Sequence, residues 1–392
     1  MALSLATIII LGLLQDKFFK RLGLPGLLGM LILGIIIGPY GIHIISDDML
    51  RISSDLRRIA LIIILLRAGL GIKKEMLNKV GISALKMSFI PGLLEGITIM
   101  FLASYVLEIS KIESGMLAFI VAAVSPAVIV PQMLDFIQRK KGYAKAIPTL
   151  ILAGASIDDV FAITLFTTFL GLYGGKNINI FTKMLEIPLS IILGILLGIG
   201  IGLILITLFK KYHIRDTKKT LILIGIAIIF TNVEDALKNI IPIASLVGVM
   251  TIGFILLEKY PKVANRLASK LNKVWVFAEL LLFVLVGAQV NIYLALNSGM
   301  LGLLIIAVGL VARSIGVLIS VTGTNFNWKE KLFCIIAYTP KATVQAAIGA
   351  VPLSAGVESG ELILAIAVLS IIITAPLGAI GIKFSGKRWL SD

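Results

Sequence analysis

Ala153-Gly154-Ala155-Ser156-Ile157-Asp158-Asp159-Val160-Phe161-Ala162-Ile163 sets two neighbouring carboxylates in a stretch otherwise apolar enough to cross a bilayer. An acidic side chain near a membrane midplane costs roughly 2.5–3.5 kcal/mol even on a lenient insertion scale. A second acid beside it costs more, because like charges resist sharing a site. Packing gives a chain no reason to keep such a pair. Carboxylate oxygens suit a small hard cation, and a buried acid next to another acid also holds a proton more firmly. The pair therefore points to a place where a cation and a proton compete. One helical step turns a side chain by about 100°, so both carboxylates can border one cavity from different directions.

The rest of the chain agrees with a membrane setting. Of its 392 residues 58% are hydrophobic and only 15% charged, with a mean hydropathy of +1.06; a soluble domain carries about 25% charged residues. Apolar runs of about 20 residues recur throughout, and the alternating segments of a β-barrel are absent from the sequence. The runs predict about thirteen spans, roughly at 2–20, 23–40, 55–72, 80–107, 114–138, 145–173, 185–209, 218–233, 240–257, 272–292, 299–322, 328–351 and 361–384. Little chain remains for a separate soluble domain.

The net charge is +15. In a soluble protein this would suggest nucleic acid. Here the basic residues crowd into loops, most of them after odd-numbered spans and in the C-terminal tail, and no nucleic-acid module is found. Positive loops stay cytoplasmic. The expectation is a multi-pass protein of a prokaryotic-type inner membrane, N-terminus outside and C-terminus cytoplasmic. The first residues lack a basic n-region and read as the start of the first span. The single cysteine, Cys334, excludes an intrachain disulfide framework. Gly34 and Gly38, and Gly194, Gly198 and Gly202, repeat every four residues, the spacing that lets two helix backbones approach closely; the spacing leaves open whether the partner lies in the same chain or a second subunit.

Two spans carry a polar, proline-bearing interruption. The first is Ser125-Pro126-Ala127-Val128-Ile129-Val130-Pro131 and the second Thr339-Pro340-Lys341-Ala342-Thr343-Val344-Gln345. Non-helical backbone at membrane depth is tolerated only inside protein or along a wet cavity. The two occupy matching places. Gly69 lies 26 residues before Glu95, and Gly287 lies 26 before Arg313; Pro126 follows Glu95 by 31 positions, and Pro340 follows Arg313 by 27. The third to fifth spans thus parallel the tenth to twelfth with opposite orientation. Inverted repeats with paired broken helices are the mark of a secondary transporter with its site at the midplane.

The remaining buried charges follow the same logic. The repeat places Glu95 and Arg313 as equivalents, and an intramembrane Arg needs a partner, so a structural Glu95–Arg313 ion pair is expected. Lys341 at the second break is expected to offset the carbonyl ends of the half-helices. Ser125, Thr339, Thr343 and Gln345 are polar enough to lend oxygens. Arg67, Lys86 and Glu279 fall near span ends, where snorkelling accounts for the two basic ones.

Taken together, the Ser-Pro break, Gly154-Ala155-Ser156-Ile157-Asp158-Asp159-Val160, Val311-Ala312-Arg313-Ser314 and Tyr338-Thr339-Pro340-Lys341-Ala342-Thr343-Val344-Gln345-Ala346-Ala347 resemble the cation/proton antiporter superfamily. Within it they resemble the sodium/proton branch with an Asp-Asp motif, the NHA type, over essentially the whole chain. The resemblance implies an all-α polytopic membrane protein with an inverted-repeat antiporter fold and two crossing discontinuous helices. It implies a homodimer in the lipid bilayer with elevator-type alternating access. The chain would be a single transporter unit over 1–392, with an ion-carrying core over roughly 55–173 and 272–384 and a scaffold over roughly 1–54 and 174–271. By residue matching Asp159 is the essential carrier of cation and proton and Asp158 assists it, while Ser156 and the backbone near Ser125 complete the shell around a transported Na+.

One departure bears on stoichiometry. Electrogenic Asp-Asp relatives usually carry Lys where this chain has Arg313, and Arg does not release a proton, which points to electroneutral exchange. The expected function is a sodium (or lithium)/proton antiporter with no resident cofactor. A potassium/proton antiporter on the same scaffold is the nearest alternative. An intramembrane aspartyl protease would need two acids facing each other across a catalytic water, which adjacent residues of one helix do not provide; an organic-acid transporter would want a positive site.

Overall fold

In hydrocarbon a backbone segment has to satisfy its own polar groups, and an α-helix does so within one segment. The computed structural model describes residues 1–22, 24, 26–174, 180–237, 241–291 and 299–391, with the backbone alone for 180–184, and these hold helices and no strand. In chain order the helices are α1 (Ala2–Arg21), α2 (Gly26–Ile37), α3 (Asp47–Arg51), α4 (Ser53–Gly71), α5 (Lys74–Met87), α6 (Ile90–Val106), α7 (Lys111–Val121), α8 (Pro126–Gln138) and α9 (Ile147–Tyr173). Then come α10 (Ile180–Lys211), α11 (Asp216–Leu237), α12 (Ser245–Lys259), α13 (Pro261–Ala288), α14 (Gly299–Ser320), α15 (Trp328–Ala337), α16 (Thr343–Ile348), α17 (Val351–Ser354) and α18 (Gly360–Trp389).

Nine helical stretches among the described residues are long and apolar enough to cross a membrane. The expected count of thirteen is not reached by that measure. The second and ninth expected spans fall on α2 and α12, of 12 and 15 residues. The third falls on α4, which carries Asp55, Arg57, Arg58 and Arg67, and the twelfth is broken into α15, α16 and α17. The fourth, expected at 80–107, is split at Ser88–Phe89 into α5 and α6, with Pro91 in the first turn of α6.

Both interrupted spans start alike. Ser110 and Glu113 form a capping box on α7, and Asn327 and Glu330 form one on α15, so each half-helix satisfies its first amides before any tertiary contact. The first interruption covers residues 122–125 and ends at Pro126, in the first turn of α8 where a missing N–H costs nothing. Pro131, expected within the break, lies inside α8. The second interruption covers 338–342, and Thr343 already begins α16.

The glycine repeats find their partners within the chain. A β-carbon at Gly34 would strike the backbone of Val284, and one at Gly287 the backbone of Leu31, so α2 and α13 touch main chain to main chain. Gly194 and Gly198 meet Ala244 and Gly248 in the same way, joining α10 to α12, and Gly69 and Gly253 join α4 to α12. Around these seams α1, α2, α4, α10, α11, α12 and α13 pack on one another. In the other group α6 lies against α7 and α14, α9 against α5, α7 and α8, and α18 against α15 and α16.

Candidate functional site

The two interruptions are tied directly: the Ser125 amide donates to the Pro340 carbonyl at 2.8 Å. Ser125 Oγ lies 3.4 Å from Thr343 Oγ1. Gln345, in the first turn of α16, donates through Nε2 to the carbonyls of Ile120, Val121 and Ala123 at 2.9, 3.3 and 2.9 Å. It thereby meets the carbonyl end of α7, where a helix carries about half a negative charge.

α9 passes beside this crossing. Asp158 is 1% exposed and Asp159 5%, and they point different ways, as one helical step requires. Asp158 turns inward: its Oδ2 accepts from the Val124 amide at 2.8 Å and lies 3.6 Å from Arg313 Nη2. Asp159 turns to a cavity of about 290 Å³. From the first group of helices the wall takes Ser54, Arg57, Arg58, Leu61, Leu246, Leu282 and Val286; from the second it takes Asp159, Ile163, Thr343, Val344, Ala347 and Ile348. Asp159 Oδ1 has no hydrogen-bond partner among the described residues.

Behind the acids lies a buried charge cluster. Arg313 Nε donates to Glu95, and Arg313 Nη2 donates to the Ala122 carbonyl in the first interruption. Lys341 Nζ, fully buried, also pairs with Glu95, at 2.7 and 3.0 Å. The expectation that Lys341 offsets half-helix carbonyls is corrected here: its ammonium meets the Glu95 carboxylate, and Gln345 and Arg313 meet the carbonyls. With Asp158, two carboxylates face two cations, the balance a buried cluster needs.

The remaining expected residues are less engaged. Ser156 Oγ donates back to Leu152 O at 2.8 Å within α9, and Thr339 Oγ1, in the second interruption, donates back to Ile336 O of α15 at 2.9 Å, while Thr343 lines the cavity. Arg67 donates to Asn272 and lies over the Trp275 ring rather than simply snorkelling. Glu279 lines a second cavity of about 450 Å³ with Asp16, Lys20, Asp135, Arg139, Lys383 and Lys387. Sequence reasoning did not find Arg57 and Arg58 on the wall of the first cavity. Arg58 pairs with Asp235 and Arg57 bonds only its own helix at Ser53 among the hydrogen bonds described. A charged pair at a span end reads as topology, so no signal separated them.

The profile described as "Sodium/hydrogen exchanger, transmembrane" matches residues 5–387. The chain belongs to the sodium/hydrogen exchanger family. It is 35% identical over 390 residues to sodium/hydrogen exchanger 9B2 of Homo sapiens, covering 94% of this chain and 70% of that relative. It is 31% identical over 388 residues to sodium/hydrogen exchanger 9B1 of Homo sapiens, covering 94% and 73%. The solved structure of the sodium proton antiporter MjNhaP1 from Methanocaldococcus jannaschii superposes with a TM-score of 0.80 at 21% identity, over 99% of this chain and 98% of that one. This exchanger-family chain is thus a multi-pass helical membrane protein of the cation/proton antiporter superfamily, a family of secondary transporters and not of enzymes.

Proposed function

We propose that the protein exchanges sodium or lithium for protons, with Asp159 as the alternating carrier and Asp158 as its assistant. The observation that carries this is the placement of Asp159: a buried carboxylate with one oxygen unpartnered among the described residues, on the wall of a cavity, beside the crossing of two interrupted helices. The fixed cations behind it are already engaged by Glu95 and Asp158, and Arg57 and Arg58 on the cavity wall bond Ser53 and Asp235, so a mobile occupant neutralises it. A proton and a small cation are the two occupants its chemistry allows. Ser156 and the Ser125 backbone would complete the shell, as the family resemblance implies.

The packing supports a division for movement. Helices α1, α2, α4 and α10 to α13 form the scaffold and α5 to α9 with α14 to α18 the carrier, which moves α4 and α13 out of the core expected from sequence. Both cavities lie on the seam between them, and Asp159, midway along α9, lines the first. Sliding the carrier against the scaffold would offer Asp159 to the second. The protein works as a homodimer in a prokaryotic-type inner membrane, N-terminus outside, and the exchange is one for one because Arg313 keeps its proton.

The test is transport by purified protein in liposomes with sodium, lithium or potassium at controlled voltage. Cation-driven proton movement should be abolished by D159N. Activity surviving in D159N removes Asp159 from its role; a clear voltage dependence rejects one-for-one exchange; potassium as the preferred ion changes the substrate.

A further inference from the structure

Tyr338 follows α15 directly at the start of the second interruption and is fully buried. Its hydroxyl has no hydrogen-bond partner among the described residues. It aims at Gly154 of α9, where a β-carbon would collide with it. Gly154 lies four residues before Asp158, so the two share a helix face one turn apart. Over the ring lies the Arg313 guanidinium, 5.8 Å from its centroid. Asp158 Oδ1 and Arg313 Nη1 in this neighbourhood also lack hydrogen-bond partners among the described residues. A buried unpaired hydroxyl is unfavourable, and phenylalanine would fill the same volume without it. The hydroxyl group therefore calls for a task that packing does not supply.

We propose that Tyr338 is a positioning residue of the exchange: its ring seats Arg313 and its hydroxyl orients Asp158, leaving Asp159 as the acid turned to the cavity. Gly154 is the matching half of the device, because only a residue without a side chain leaves room for the phenol at that level. The inference rests on the antiport reading above.

The experiment measures sodium dependence of exchange in proteoliposomes for wild type, Y338F, G154A and the double variant, with D159N as the control. Y338F keeps the ring under Arg313. Its half-saturating sodium concentration should rise about 5-fold while the maximal rate stays within 2-fold and thermal stability is not lowered. G154A should also raise the half-saturating concentration, by displacing the hydroxyl, and part of its effect comes from the nearby Met87. In the Y338F background that effect should shrink, since the colliding oxygen is gone. Wild-type sodium dependence in Y338F, or strictly additive effects in the double variant, overturns the inference. If D159N transports normally, the antiport reading fails instead, so the two failures are told apart.

Discussion

The Ser125 amide and the Pro340 carbonyl, 215 positions apart in sequence, share a 2.8 Å hydrogen bond at the point where two helices lose their continuity. Each interruption thus satisfies part of the other's backbone. Neither would be stable at this depth alone, because an unpaired peptide group has no water to turn to. The acid pair is set beside a joint that exists only when both breaks are formed.

The charge cluster should govern stability. E95A leaves Arg313 and Lys341 buried without their shared carboxylate, and breaking a buried pair by removing one partner costs roughly 3–5 kcal/mol. The expected outcome is a large loss of thermal stability in detergent, larger than for R313K, which keeps a cation near Glu95. Equal melting of E95A and wild type would mean the cluster contributes nothing.

Asp158 should matter by degree. D158N keeps the shape and an oxygen for the Val124 amide but loses the charge facing Arg313. Exchange should persist with the half-saturating sodium concentration raised roughly 10-fold, a change of about 1.4 kcal/mol. Kinetics in proteoliposomes decide; complete loss of exchange would put Asp158 on a par with Asp159.

Access to Asp159 should be one-sided in the conformation described. The native thiol, Cys334, is buried, so I163C in a C334S background gives a clean probe of the first cavity. A membrane-impermeant thiol reagent should label I163C from the face bearing Arg57 and Arg58. Q132C, in the second cavity, should label from the opposite face.

The glycine seams should tolerate no bulk. Gly198 abuts the Gly248 backbone, and G198L forces α10 off α12. Overpacking of this kind costs typically 1–3 kcal/mol, so a lowered melting temperature is expected. G200A, with open space around its β-carbon, should melt like wild type.

Much of this was legible in the chain because charge inside apolar runs is expensive. Asp158, Asp159, Glu95, Arg313 and Lys341 stood out on cost alone, and the matching prolines marked both interruptions. The rest was hidden for physical reasons. From sequence Lys341 reads as a partner for carbonyls, because sequence gives no distance to Glu95, 246 positions earlier. Pro131 looked like part of a break, yet a proline flanked by well-packed neighbours can stay inside a helix. Tyr338 looked like an ordinary member of a broken span and Gln345 like a source of oxygen, since only the fold brings a phenol against Gly154 and the Gln345 amide N–H against the end of α7. Gly34 and Gly198 announced close contact but not with whom; the fold places Val284 and Gly248 there.

Where α2 meets α13 and α10 meets α12, main chain rests on main chain, and no rotatable group separates them. Such junctions have almost nothing to rearrange when warmed or squeezed. The plane holding both cavities is lined instead by Leu61, Leu246, Leu282, Val344 and their neighbours, whose rotamers can readjust. Hydrogen–deuterium exchange should therefore find the protein's compliance concentrated along a single sheet-like fault, with hard blocks to either side.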